Sequence, residues 1–221
     1  MKPENPEDDR SLAETVATRI RDLLIEGEFG PGEKLSEQQV ASRFGVSRNT
    51  LREVFRLLTS QGLLAYIPNR GVFVAAPDEA AVIDIYRVRA VIQKGAIQAA
   101  GNSHPALARM QQTAVEADVA RREGDWRRVG TLNMEFHRRM VELCDSPRLS
   151  ACFDLVLAEL RLVFGQLEDT SHLHEPYIGL NLALVEALER QDATGALAQL
   201  ETYLVKSERA VLAALQRGRK R

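Results

Sequence analysis

The residues best suited to chemistry in this 221-residue chain form a run of hydrogen-bond donors: Ser47, Arg48, Asn49, Thr50 and Arg52, followed later by Asn69, Arg70 and Gly71. Arginine matches guanine O6 and N7 with two parallel bonds, and asparagine matches adenine N6 and N7 in the same way. Backbone amides at a helix start hold phosphate, and an arginine on a narrow protrusion suits the minor groove. Between Ser42 and Arg70 there are five arginines and one acid, Glu53, although the formal net charge of the chain is −2 and its first 37 residues are acid-rich. The positive charge is therefore local, and these donors are candidates for reading double-stranded DNA.

Such donors need a rigid element to present them. Val40 to Val74 reads as a short helix, a tight turn, a second helix and a two-stranded wing. Gly45 supplies the left-handed stop and Ser47 the N-cap of the next helix. Leu51, Val54, Phe55, Leu58 and Leu63 recur at helical spacing and form the buried face, which leaves Arg48, Asn49, Thr50, Arg52 and Arg56 outside. Leu63 to Ile67 and Gly71 to Val74 are β-prone runs separated by Pro68-Asn69-Arg70, a hairpin with a polar tip.

A boundary is expected at Ala75-Ala76-Pro77-Asp78, where proline breaks the strand and Asp78 can cap a helix. Helical periodicity then predicts Glu79 to Ala100, Pro105 to Glu123, Trp126 to Cys144, Pro147 to Leu167, Pro176 to Arg190 and Thr194 to Gln216. The expected fold is mainly α: a winged helix-turn-helix over residues 1–76 and an all-helical bundle over 77–221. Bundles place ligand sites between facing helices. Asn133 and His137 share a helix face, four residues apart, and with Asn181 and Tyr203 they offer donors and acceptors to a small molecule. Arg89 or Arg161 can pair with its carboxylate. His172 and His174, near Glu175, fall in an expected loop and resemble a metal pair only superficially, and His104 before Pro105 reads as loop surface. Trp126, Phe136, Phe153 and Phe164 read as core, Cys144 and Cys152 as free buried thiols, and the basic tail from Arg217 to Arg221 as solvated.

The amino-terminal part resembles the winged helix-turn-helix of GntR-type bacterial transcription regulators. The pattern is carried by Ile20-Arg21-Asp22-Leu23-Leu24, Gly27, Pro31-Gly32, Leu35-Ser36-Glu37, Phe44 through Arg48, Leu51-Arg52-Glu53, Gly62-Leu63-Leu64 and Pro68 through Gly71. The resemblance implies DNA contacts by Gln38, Ser47, Arg48, Asn49, Thr50, Arg52 and the wing tip Asn69 to Gly71. Asn49-Thr50-Leu51 stands where many members have Thr-Pro-Val, and Phe55 where alanine is commoner, so operator preference is expected to differ.

The rest of the chain resembles the FCD-type helical sensing domain of the FadR branch, through Tyr86-Arg87-Val88-Arg89, Phe136-His137 and the stretch from Ala187 to Asp192. In that family an Asp and three His hold a divalent metal. Here the resemblance places Asn133, His137, Asn181 and Tyr203 at those positions, so one ligand of four is retained. Amides bind metals weakly and a phenol must first lose its proton, so no bound metal or other cofactor is expected. Gln93 stands where the family has glutamate, which leaves Arg89 free of an inherited ion pair.

The resemblance implies a homodimer on a palindromic operator, released by a small-molecule effector. Two alternatives stay open. One is a DNA-bound scaffold whose bundle senses nothing. The other is an enzyme, which no phosphate loop, HExxH, GxSxG or Cys-His motif supports. No signal peptide and no membrane-length apolar run is apparent, so a cytoplasmic protein is expected.

Overall fold

A computed structural model describes residues 11–101, 103–167 and 171–219. The first helix, α1 (Leu12–Ile25), begins with a capping box: the Glu14 amide donates to Ser11 Oγ at 3.2 Å and the Ser11 amide to Glu14 Oε2 at 3.0 Å. It ends where Gly27 turns to φ 77°, with Glu28 N–H donating to Leu23 O and Gly27 N–H to Leu24 O, the paired bonds of a Schellman motif.

A short strand β1 (Lys34–Leu35) leads into α2 (Glu37–Phe44), capped by Ser36 and stopped by Gly45 at φ 64°. Ser47 then caps α3 (Arg48–Ser60), accepting from the Thr50 amide at 3.1 Å. The hairpin β2 (Leu64–Ile67) and β3 (Gly71–Val74) follows, with Leu64 opposite Val74 and Ile67 opposite Gly71. The sheet order is β1-β3-β2, so the wing has three strands where periodicity indicated two. Two residues, Lys34 and Leu35, are too few to show alternation; their pairing with Phe73 and Val72 is what makes them a strand.

Asp78 accepts from the Ala81 amide at 2.9 Å and starts α4 (Glu79–Ala99). The bundle continues with α5 (Pro105–Arg122), α6 (Trp126–Glu142), α7 (Pro147–Gly165), α8 (Ser171–Glu189) and α9 (Ala193–Arg219). Helix α8 begins before Pro176, which lies inside it, rather than at the proline. A proline at this position forfeits one backbone hydrogen bond and the helix continues through it. The basic tail is helical as far as Arg219; residues 220–221 lie outside the described residues. No helix among the described residues is long and apolar enough to cross a membrane.

One apolar cluster runs through both parts, from Val16, Ile20 and Leu24 of α1 to Phe153 and Leu157 of α7 and Leu215 of α9. Phe136, Phe153 and Phe164 are buried in it, while Trp126 is half-buried beside a smaller cluster. The two cysteines are free, but neither is fully buried: Cys144 is half-buried, and Cys152 is exposed on the outer side of α7.

Polar contacts fasten α1 to the bundle. Arg138 of α6 reaches Asp22 of α1 at 3.2 Å, Asp154 of α7 at 2.7 Å and Glu135 of its own helix at 3.5 Å. Arg138→Met keeps the apolar stem but removes the shared partner of Asp22 and Asp154, while Glu135 keeps Arg139. The variant should lose about 1–3 kcal/mol of stability, read as a lower urea midpoint. An unchanged midpoint would show that the network contributes nothing.

Candidate DNA interface and candidate effector site

Helix α3 presents its first turn to solvent. Ser47, Arg48, Asn49 and Arg52 are exposed, as are Gln38 on α2 and Asn69 and Arg70 at the wing tip, while Thr50 and Gly71 are half-exposed. Three of these side chains make hydrogen bonds within the molecule. Thr50 Oγ1 lies 2.9 Å from Ser47 Oγ, within the cap, and Arg52 Nε donates to Glu37 Oε2 at 3.2 Å. At the wing tip Asn69 adopts φ 61°, and the Arg70 guanidinium lies 5.5 Å from the centre of the Phe73 ring, which holds it near the hairpin. The Lys34 ammonium lies 6.0 Å from the centre of the same ring. It joins the positive edge only through the pairing of β1, which sequence reasoning missed.

Inside the bundle, four helices converge on a polar cluster. α4 supplies Tyr86, Arg89 and Gln93, α6 supplies Asn133 and His137, α8 supplies Tyr177 and Asn181, and α9 supplies Tyr203 and Ser207; all are buried. Each set recurs at helical spacing within an otherwise apolar stripe, so each helix brings its polar groups to one place.

The hydrogen bonds form a directed chain. Gln93 Nε2 lies 2.6 Å from His137 Nδ1, so Nδ1 accepts and the imidazole proton sits on Nε2. Nε2 then donates to the Tyr203 oxygen at 2.8 Å, and Tyr203 donates to Asn133 Oδ1 at 3.1 Å. The same Oδ1 accepts from Asn181 Nδ2 at 2.9 Å. Tyr86 and Ser207 bond each other at 2.6 Å. Burial raises the pKa of Tyr203, which keeps its proton available for this bond.

The cluster is not self-contained. Arg89 is 1% exposed, its guanidinium lies 4.8 Å from the Tyr86 ring centre, and its Nε has no hydrogen-bond partner among the described residues. Gln93 Oε1 and Asn181 Oδ1 are likewise unpartnered there. Among the described residues no carboxylate lies within ion-pair distance of Arg89. A buried charge without a counter-charge is costly, so the arrangement favours an anion.

The donor set was tested against a divalent metal. Asn133, His137, Asn181 and Tyr203 do meet, but both ring nitrogens of His137 are in hydrogen bonds, the amides are neutral and Tyr203 is held protonated. Among the described residues no three His, Cys, Asp or Glu side chains are grouped to hold a metal ion. These residues do not fit a resident metal.

Three other candidates lie elsewhere. Arg161 of α7 turns toward α1, with Nη2 3.5 Å from Glu26 O, and lines a cavity at the seam with the winged helix. His174 is buried in α8, its ring 4.9 Å from that of Phe164, rather than in a loop; the His172 side chain lies outside the described residues. His104 is not loop surface: it is the N-cap of α5, with Nδ1 accepting from the Ala106 amide at 3.0 Å and Nε2 3.0 Å from Asp145 Oδ1. The unnoticed members of the cluster were Tyr177 and Ser207. Their signal was a polar residue four positions from Asn181 and Tyr203 respectively.

A winged helix-turn-helix with an exposed donor face, joined to a helical bundle with a polar core, defines a class of DNA-binding regulator. Residues 12–74 match the family described as bacterial regulatory proteins, gntR family, and residues 84–206 match the FCD domain. The chain belongs to the GntR family, of the FadR-like type that carries an FCD domain, and is a transcription regulator. The crystal structure of a GntR transcriptional regulator from Rhodococcus sp. RHA1 is similar with a TM-score of 0.83 and 34% identity, covering 93% of this chain and 99% of that one. The Nta operon transcriptional regulator of Aminobacter aminovorans is 25% identical over 82% of this chain and 87% of that protein. The probable D-xylose utilization operon transcriptional repressor of Paenarthrobacter nicotinovorans is 26% identical over 80% of each.

Burial, and then the charge of Arg89, hold the His137 pKa well below the 6.5 of a free imidazole. The unfolded chain therefore binds a proton that the folded chain refuses. The stability linked to His137 is full above pH 6.5 and is lost as the pH falls below it. Urea midpoints should fall between about pH 7.5 and about pH 5.5, and less steeply in His137→Gln. Parallel slopes in the two proteins would assign the pH dependence to other groups.

Proposed function

We propose that the chain is a metal-free, effector-released repressor that binds a palindromic operator as a homodimer in the cytoplasm. Residues 1–76 are the DNA-binding unit and residues 77–221 the sensing and dimerising unit. On this reading the bases are read by Arg48 and Asn49, with Gln38, Ser47, Thr50, Arg52, Asn69, Arg70 and Gly71 setting register on the backbone and minor groove.

The observation that carries the sensing role is Arg89, a fully buried guanidinium lacking a carboxylate partner among the described residues. An effector carboxylate supplies that partner through a bidentate pair. Asn181 and Gln93 offer their unpaired oxygens to its hydroxyl or amine groups, and Asn133, His137 and Tyr203 form the opposite wall. The dimer reading is supported by apolar side chains on the outer faces of α4 and α9: Val91 is 75% exposed and Val205 42% exposed. No enzymatic step is needed, since the similar proteins of Aminobacter aminovorans and Paenarthrobacter nicotinovorans are described as transcriptional regulators.

Operator selection with purified protein at fixed salt should recover a short inverted repeat. Arg48→Ala should then weaken specific binding by about 1–3 kcal/mol, roughly five- to 150-fold. Unchanged affinity would remove Arg48 from base reading. In a panel of small carboxylates, one class should release the wild-type protein but not Arg89→Met, whose operator affinity should match wild type. Release of both proteins alike would exclude Arg89 as the anchor.

Metal analysis after dialysis should give far less than one equivalent of zinc, nickel or manganese. A full equivalent would overturn the metal-free reading.

A further inference from the structure

We propose that the seam between the winged helix and the bundle is a second ligand site, for a small organic oxyanion with an apolar body, anchored by Arg161 and Arg127. A cavity of about 350 Å³ opens there, at the lower end of small-molecule sites. Its walls come from both parts of the chain: Phe29 from the segment after α1, Trp126 and Arg127 from the start of α6, Phe164 and Arg161 from α7, and His174 from α8. None of these residues belongs to the Arg89 cluster.

The Arg161 guanidinium is built into a slot. A Cβ on Gly27 would stand 2.5 Å from Nη2, and a Cβ on Gly130 would stand 2.8 Å from Nη1. As the guanidinium lies, it packs against two glycines, one from each part of the chain, and a side chain at either position would push it aside. Its hydrogen bond is a long one, 3.5 Å to the Glu26 carbonyl at the end of α1. Among the described residues no carboxylate lies within ion-pair distance of Arg161.

Among the described residues the acids nearest the cavity are already engaged: Glu33 accepts from the Gly30 amide at 2.9 Å. Glu28 faces Arg127 at 3.2 Å and Arg43 at 3.6 Å, so one acid already serves two cations before Arg161 is counted. Burial first, and Arg127 second, lower the pKa of Arg161, the sign of a cation short of counter-charge. An oxyanion bound between Arg161 and Arg127 satisfies both, while Phe29, Trp126 and Phe164 enclose an aromatic or branched body. Because Gly27 and Phe29 belong to the winged-helix part and Arg161 to the bundle, the occupant touches both. Its effect on DNA binding is limited to its preference for one arrangement of the two over the other.

Trp126 is the single tryptophan of the chain, so its fluorescence reports on this cavity. The full-length protein is titrated with benzoate, phenyl phosphate and, as a neutral control, benzyl alcohol. The proposal expects a saturable change with benzoate or phenyl phosphate and none with benzyl alcohol. The tighter of the two names the headgroup as carboxylate or phosphate. Arg161→Met should weaken binding at least about tenfold, and Arg127→Gln, an exposed change that leaves the fold intact, by several-fold. Arg89→Met should leave the Trp126 titration unchanged, which separates this site from the bundle core.

The proposal fails if neither anion gives saturation, if benzyl alcohol matches them, or if both Arg127→Gln and a folded Arg161→Met bind as wild type. A titration lost in Arg89→Met and kept in Arg161→Met would place the ligand in the core instead.

Discussion

The docking of α1 onto the bundle is the contact on which the rest of the molecule depends. This helix packs on α3 on one side and on α7 on the other, so it belongs to the core of the DNA-reading part and to that of the helical part at once. Ile20 and Leu24 are fully buried in the shared cluster, and Arg138 ties Asp22 to Asp154 across the joint. Two parts joined only by a linker would move independently. Here, displacement of α7 must either carry α1 with it or break apolar and ionic contacts together.

Three guanidiniums, Arg89 fully buried and Arg138 and Arg161 half-buried, show how differently this protein handles a positive charge. Arg138 is surrounded by three carboxylates, which together raise its pKa in spite of burial. Arg89 has an aromatic ring and neutral polar groups, and Arg161 has a carbonyl and two glycine backbones. A ring face contributes about 1 kcal/mol and a neutral hydrogen bond about the same, well short of the several kcal/mol that desolvation of an ion requires. Arg138 is therefore a structural fastening. Among the described residues the other two have no carboxylate partner, one inside the bundle and one at the seam.

Much of the winged helix was legible because its signals are local. Gly45 at positive φ, Ser47 as a cap and the alternating faces of α3 depend on neighbours within a few residues, and so does Asp78 at the head of α4. What escaped is set by distant partners. The strand at Lys34–Leu35 exists only because β3 pairs with it. His104 became a cap tied to Asp145, 41 residues away, and His174 was drawn into the core against Phe164. Arg161 and Arg89 look alike as arginines on amphipathic helices. Which one faces the polar cluster depends on the rotation of each helix within the bundle, and periodicity fixes that only to a fraction of a turn. The convergence of Asn133, His137, Asn181 and Tyr203 was the opposite case: the resemblance to the FCD pattern aligned positions that composition could not connect.

Replacement of metal-ligand types by amides and a phenol changes what holds the core together. A metal would tie α6, α8 and α9 through one charged centre, indifferent to the direction of each bond. The chain from Gln93 through His137 and Tyr203 to Asn133 and Asn181 instead ties α4, α6, α9 and α8 by bonds that each require a particular donor and acceptor. Reversal of one bond, such as an amide flip at Gln93 that turns its oxygen toward His137, forces the imidazole proton to Nδ1 and leaves Nε2 to accept from Tyr203. Tyr203 then no longer donates to Asn133, and the contact between α9 and α6 is remade. Helix α4, which carries both Gln93 and Arg89, begins five residues after Val74, the last residue of the wing. An anion drawn to Arg89 on the proposed reading thus acts on the helix continuous with the wing, and one drawn to Arg161 acts on the helix beneath α3. Arg89 and Arg161 thus lie on two of the connections between the bundle and the DNA-reading part, beside those made by Arg138 and Arg127.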